Sequence, residues 1–454
     1  MSHLRLFLLL LTINEILLDS NYITLSFQRK NSKNIKLLSQ DQQIYQNLVV
    51  NNVYSMIKTG TPLKQYEIEL KFQQYTTFLS DKTSYINNPN IVTYNSLVSQ
   101  SYKPLNNESR NFTNIEFSEG IRATDLFKFE DKEIKEFYFI YVTKLIKDIS
   151  TAGVLGLKIK DDSINELKQT NFITQLKKNK LINSYAFTIK YKNLEEGEII
   201  IGENIDSLIR GEKNNFQKTN VELDDFSPSW KLKFSKITYG DYLIEQNKKI
   251  NLELEFGLII ASENFRLELQ KNFFDEKLKN KECSMGEFID LSNQLPHIFY
   301  KCNKKTNLKN FKVIKFYNDE LNMNFTFETK DLFKELNNYL YFQMIFDKNQ
   351  IYSWKFGKIF FSKYQLYFDQ DKKIIGVLKS FKLGNSEKFA WTLVIIFGLG
   401  LIGMGYLSYR IFILLPRRKR ANELKDDFYD YSSQTNYTEL SKPKDNNKNL
   451  GINN

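Results

Sequence analysis

The chain has 454 residues and a formal net charge of +11, from 64 Lys and Arg against 53 Asp and Glu. That excess does not mark a nucleic-acid binder, because Arg417, Arg418, Lys419 and Arg420 form one basic cluster and the remaining Lys is scattered among Asp and Glu as solvated surface. Two Cys and two His leave an incomplete ligand set for a metal, and no metal or cofactor is expected.

In chain order, the first element is a short apolar run, Leu4 to Leu11, behind Arg5. It is too brief to span a bilayer and fits a secretory signal sequence over 1–20, followed by a linker or pro-like segment over 21–45. From about Leu48 to Leu378 the pattern is period-two alternation or short apolar runs between turn residues. The expected strands are Glu67 to Leu70, Glu136 to Val142, Ala186 to Tyr191, Gly197 to Gly202, Trp230 to Ile237, Asn251 to Ile260, Lys312 to Tyr317, Asn322 to Thr329 and Gln365 to Asp369. Helical spacing is confined chiefly to Ser163 to Asn179 and Lys330 to Asn338. The body is therefore all-β and long enough for two lobes, placed at 46–219 and 220–380.

After a linker at 381–389, the stretch 390–415 opens with an uncharged apolar run and reads as a transmembrane helix. The basic cluster follows at once, so the body is expected outside or lumenal and the tail, 416–454, cytosolic. This is a single-pass type I arrangement, in the secretory or endolysosomal system or at the cell surface. On the exported side an isolated pair, Cys283 and Cys302, is most simply one disulfide, worth roughly 3 kcal/mol in the chain-entropy model. Sequons at Asn107, Asn111 and Asn324 are candidate glycan sites. In the tail, Tyr437-Thr438-Glu439-Leu440 has the form of a Tyr-x-x-apolar sorting signal, which an adaptor reads through pockets for Tyr437 and Leu440.

A series of segments in register carries a family resemblance. Gly153-Val154-Leu155-Gly156-Leu157 is followed by Phe172-Ile173-Thr174-Gln175-Leu176-Lys177, by Ile182 to Ile189, and by Gly197-Glu198-Ile199-Ile200-Ile201-Gly202. Then come Trp230 to Ile237, Phe299-Tyr300-Lys301-Cys302, Trp354-Lys355-Phe356-Gly357, Ile359 to Tyr364 and Phe368 to Gly376. This order, over about residues 46 to 380, resembles the pepsin-like aspartic peptidases. The resemblance implies a bilobal fold in which the Gly153 and Gly357 segments thread the two active-site hairpins, and Ile359 to Tyr364 and Phe368 to Gly376 are the closing strands.

In that family each lobe supplies an Asp-Thr-Gly or Asp-Ser-Gly loop, and two carboxyls share one proton over a water. No such tripeptide occurs in this chain. Counting from Gly60-Thr61-Pro62 through Glu67-Ile68-Glu69-Leu70 brings Lys71, Phe72 and Gln73 to the first loop, and Leu252-Glu253-Leu254 leads to Glu255, Phe256 and Gly257 in the second. Phe117, in Asn114 to Gly120, falls at the Tyr of the family's flap. Across a partly buried cleft, Lys71 opposite Glu255 is expected to form an ion pair that keeps the carboxyl ionised; solvation of both by an eroded loop is the competing expectation. A nucleophile with a His would have to be built on His297.

The function expected is that of an inactive, membrane-anchored peptidase-like body holding a peptide or protein ligand in its interlobe cleft. Two other readings stand beside it. One is a divergent membrane-bound aspartic endopeptidase pairing Glu255 with another acid, Glu69 or Asp81. The other is a lumenal cargo receptor that depends on the tail signal.

Overall fold

The computed structural model describes residues 22–378, apart from 32–38, 82–91, 107–109, 113–116, 147–148, 150, 160–169, 204–215, 223–228, 291–294 and 349–353. The expected signal sequence, membrane span and tail, with Tyr437 and Leu440, and the sequon residue Asn107 lie outside the described residues. Among the described residues no helix is long and apolar enough to cross a membrane. Contacts divide the chain after Leu383, and every described residue belongs to the first unit.

Among the described residues the strands form two sheets, one of 14 strands and one of 11. Each sheet contains the same local arrangement. In the first, Lys64–Lys71 runs parallel to Gly153–Gly156, which is antiparallel to Phe78–Ser80, which in turn is parallel to Lys132–Leu145. In the second, Tyr242–Leu252 runs parallel to Lys355–Phe356, which is antiparallel to Ile259–Ala261, which in turn is parallel to Met344–Asp347. The repetition is an internal twofold relation between lobes.

The threading strands pass so close to the hairpins that no side chain fits. A Cβ on Gly156 would strike the Gln74 carbonyl and the Tyr75 backbone, and one on Gly357 would strike the carbonyls of Phe256 and Leu258. Both glycines named in the sequence are thus held by space. One core runs through both lobes, and at their junction Trp230 packs on Phe187 and Phe368 at 5.9 and 4.9 Å between ring centroids. Its indole N–H donates to the Leu157 carbonyl at 3.0 Å, so the ring satisfies its one donor while buried.

Several expectations need correction. The segment 21–45 is not merely a linker: Ile23–Asn31 is an interior strand between Glu196–Ile201 and Asn51–Thr59. Its alternation is real, with Ile23, Leu25 and Phe27 buried, but Arg29 occupies the next inward position and masks the pattern. The helix Gln40–Val49 follows, capped by Ser39 in a capping box with Gln42.

Asn251 to Ile260 is not one strand. It is broken between Leu252 and Ile259 by the turn that carries Glu255. Of Ser163 to Asn179, the described helix is Phe172–Lys178. Lys330 to Asn338 holds only a short helix, Thr329–Leu332; Phe333–Leu336 then pairs with Tyr339–Phe342 across Asn337 and Asn338, both with positive φ, as a tight hairpin demands. Ile359 to Tyr364, expected as a closing strand, is the helix Lys358–Lys363, since a short apolar run does not distinguish the two. An unforeseen helical stretch begins at Glu263, capped by Ser262, and buries Phe265, Leu269 and Phe273 at i, i+4 spacing through a π-turn at Gln270–Phe274.

Candidate functional site

The first-lobe loop grows out of the strand Lys64–Lys71, where alternation sends Ile68 and Leu70 into the core and Glu69 and Lys71 to the opposite face. Glu69 is nonetheless buried. Its carboxylate lies 2.8 Å from the Lys71 ammonium and accepts from the Asn52 amide at 3.2 Å. Phe72 turns inward and packs edge-on against Phe187, Phe361 and Phe368 at 5.6, 5.6 and 5.1 Å. It fills the junction between lobes with apolar contact at the position where the family resemblance calls for a hydroxyl.

The second-lobe loop is a turn closed by the Phe256 N–H donating to the Glu253 carbonyl at 3.2 Å. Glu255 projects from it across the lobe boundary. One carboxyl oxygen accepts from the Phe72 backbone N–H and the other from that of Gln73, each at 3.2 Å. The carboxyl lies deep in the molecule while the residue keeps some solvent contact. Burial, and then the Glu253 charge, push its pKa up to about 7, against the opposing pull of backbone N–H groups and Lys71. Glu253 itself pairs with Lys355 at 2.8 Å.

Lys71 and Glu255 are thus brought to one centre, where two opposing influences act on the carboxyl. Lys71 acts on Glu255 in the anticipated direction, and burial outweighs it. The main partner of Lys71 seen here, Glu69, was considered in the sequence only as a spare acid. Asp81, the other spare acid, hydrogen-bonds the Tyr141 hydroxyl.

The remaining candidates fall elsewhere. Phe117 is fully buried and packs on Phe78 at 5.0 Å and Phe112 at 5.6 Å, in a small apolar cluster of its own. Cys283 and Cys302 are bonded to each other at facing positions of the hairpin formed by Cys283–Asp290 and Leu295–Asn303. Asn111 and Asn324 are exposed. His297 is wholly buried among core residues and burial holds its pKa down, so it is a core imidazole rather than a base at a cleft.

Beside the two threaded glycines, the two loops meeting at one centre and the repeated strand order stands a match of the eukaryotic aspartyl protease family model to residues 54–380. The chain belongs to the eukaryotic aspartyl protease family. No curated protein matches it. In this aspartyl protease domain, the functional contacts that sequence reasoning missed are those made by residues before the matched region: Arg29, Val49 and Val50 all touch the Glu255 loop. Only the alternation of Ile23, Leu25 and Phe27 signalled them.

The raised pKa of Glu255 makes a thermodynamic prediction. The folded state keeps a proton that the unfolded chain releases between pH 4.5 and about 7, so this carboxyl's contribution to stability falls as pH rises through that window. Glu255→Gln, which has nothing to titrate, removes the contribution. The stability difference between the native protein and the variant is expected to change by about 2 kcal/mol between pH 4.5 and 7.5, in favour of the native protein at the acidic end. Urea unfolding of both proteins at the two pH values checks it; a constant difference would contradict the assignment.

Proposed function

We propose that this chain is a membrane-anchored, pepsin-like aspartyl protease-domain protein whose cleft binds a peptide or protein without hydrolysing it, with the body on the lumenal or extracellular side. One observation carries the reading: where the two loops meet, the chain holds a lysine already paired with Glu69 and the Glu255 carboxyl seated on backbone N–H groups. Peptide hydrolysis of the family's kind needs two carboxyls sharing one proton. Here Glu69, beside Lys71, and Glu253, in the turn of Glu255, are each engaged by a lysine.

The divergent-endopeptidase reading has one observation in its favour. A carboxyl poised near pH 7 and still reached by solvent has the proton affinity of a general acid or base. The purified body, mixed with a fluorescently labelled unfolded protein across pH 2 to 7, separates the two. Binding is expected to raise fluorescence anisotropy to saturation with no new fragments. Pepstatin-sensitive cleavage that disappears in Glu255→Ala would overturn the non-hydrolytic reading in favour of the enzyme.

A further inference from the structure

The region that matches the family begins at residue 54, yet the chain before it is built into the site. The strand Ile23–Asn31 occupies an interior slot of the 14-stranded sheet, hydrogen-bonded on both sides. Its loss would leave two buried strand edges facing a gap. The helix Gln40–Val49 is docked on the second lobe. Tyr45, fully buried, donates to the Tyr300 carbonyl at 2.6 Å and packs at a tilt with its ring centroid 4.1 Å from that of Phe299, while Asp41 is ion-paired with Lys301 and Gln46 reaches Asp290 at 3.4 Å. One short segment therefore grips both lobes.

Three of its contacts fall on the four residues around Glu255. The Arg29 guanidinium donates to the Leu254 carbonyl at 2.8 Å, the Gly257 N–H donates to the Val49 carbonyl at 2.9 Å, and Val50 forms an isolated antiparallel bridge with Phe256. Arg29 is almost wholly buried and its guanidinium also donates to the Tyr191 hydroxyl. A guanidinium in a sheet interior is costly unless its donors are used, and here one of them fixes the residue immediately before Glu255.

We propose that the segment 23–50 is a permanent brace of the Glu255 loop, not a removable leader, and that Arg29 is the positioning residue through which it holds Glu255 over the Phe72 and Gln73 amides. The proposal does not depend on whether the cleft binds or cleaves.

The test follows Glu255 ionisation in the full chain by the infrared band of its carboxyl, identified by its loss in Glu255→Gln. If Arg29 positions the loop, Arg29→Met frees the carboxyl to meet water, and its titration midpoint is expected to fall by about one pH unit toward that of an ordinary glutamate. Loss of a positive charge alone would move the midpoint upward, so the direction separates positioning from charge. Arg29→Lys, which keeps one donor for the Leu254 carbonyl, is expected to restore most of the native midpoint. An unchanged or raised midpoint in Arg29→Met overturns the proposal.

Should Arg29→Met fail to fold, Tyr191→Phe removes only the hydroxyl that helps hold the guanidinium. Hydrogen exchange at the Gly257 amide is then expected to quicken about tenfold, and unaltered protection overturns the proposal. Finally, mass analysis of the folded protein recovered from cells is expected to show residues 23–50 retained. A folded form lacking them with the same Glu255 midpoint would defeat the brace.

Discussion

Replacing Lys71 by methionine is expected to cost the body about 3 kcal/mol, because it strips a buried carboxylate of its counter-charge. The Glu69 side chain is 2% exposed and that of Lys71 14%, so water screens the pair little. Removing one partner of a buried pair is far more damaging than removing both, since the penalty lies in the abandoned charge. The double variant Lys71→Met with Glu69→Gln is accordingly expected to recover more than half of the loss, which a double-mutant cycle in urea measures as coupling between the sites. A second consequence falls on Glu255. With the Lys71 charge gone, one of the influences holding its pKa down disappears, and its titration moves above about 7. A cost for Lys71→Met below about 1 kcal/mol, the range of an exposed pair, would show that the cleft centre is solvated and that the eroded-loop expectation is the better one.

What was legible in the chain follows from which interactions are local. Gly153, Gly156 and Gly357 mark places where backbone meets backbone, and such glycines stand at spacings dictated by topology, so the bilobal frame and the two loop positions could be counted out. Phe72 at a position where a hydroxyl was expected signals an altered loop, but its packing against Phe187, Phe361 and Phe368 depends on residues far along the chain. The same distance hid the strand Ile23–Asn31, whose neighbours lie at 51–59 and 196–201 and whose alternation is broken by an arginine that makes sense only once Leu254 and Tyr191 are beside it. Glu69 and Lys71 share a face by simple alternation, and their pairing was within reach of the sequence. What was not within reach was the burial that pushes the Glu255 pKa up to about 7. Ile359 to Tyr364 failed differently: its pattern suits a strand or a helix, and only the turn of chain after Gly357 decides for the helix.

Gly357→Ala is expected to cost about 3 kcal/mol or more and to leave little folded body at 37 °C. Gly357 has a φ of −110°, open to any residue, so the penalty is one of space. The added methyl would overlap the carbonyls of Phe256 and Leu258. Neither can retreat cheaply: the Phe256 carbonyl accepts from the Lys358 N–H at 2.7 Å and that of Leu258 from the Gly357 N–H at 3.1 Å. Both belong to the loop that carries Glu255, so relief of the clash must displace that carboxyl from the Phe72 and Gln73 amides. Gly240→Ala is the control. That residue has a φ of +61° at the tip of the hairpin between Lys231–Tyr239 and Tyr242–Leu252, where an added Cβ would come to 2.6 Å from Lys312 Cδ and 3.2 Å from its Cβ, a side chain and not a carbonyl. Its cost is expected to be about 1 kcal/mol, chiefly from backbone conformation, with the Lys312 side chain giving way. Thermal unfolding of the two variants beside the native protein measures the contrast. Equal losses would mean that the segment carrying Gly357 does not thread the second-lobe hairpin, and the twofold architecture that places Lys71 opposite Glu255 would fall with it.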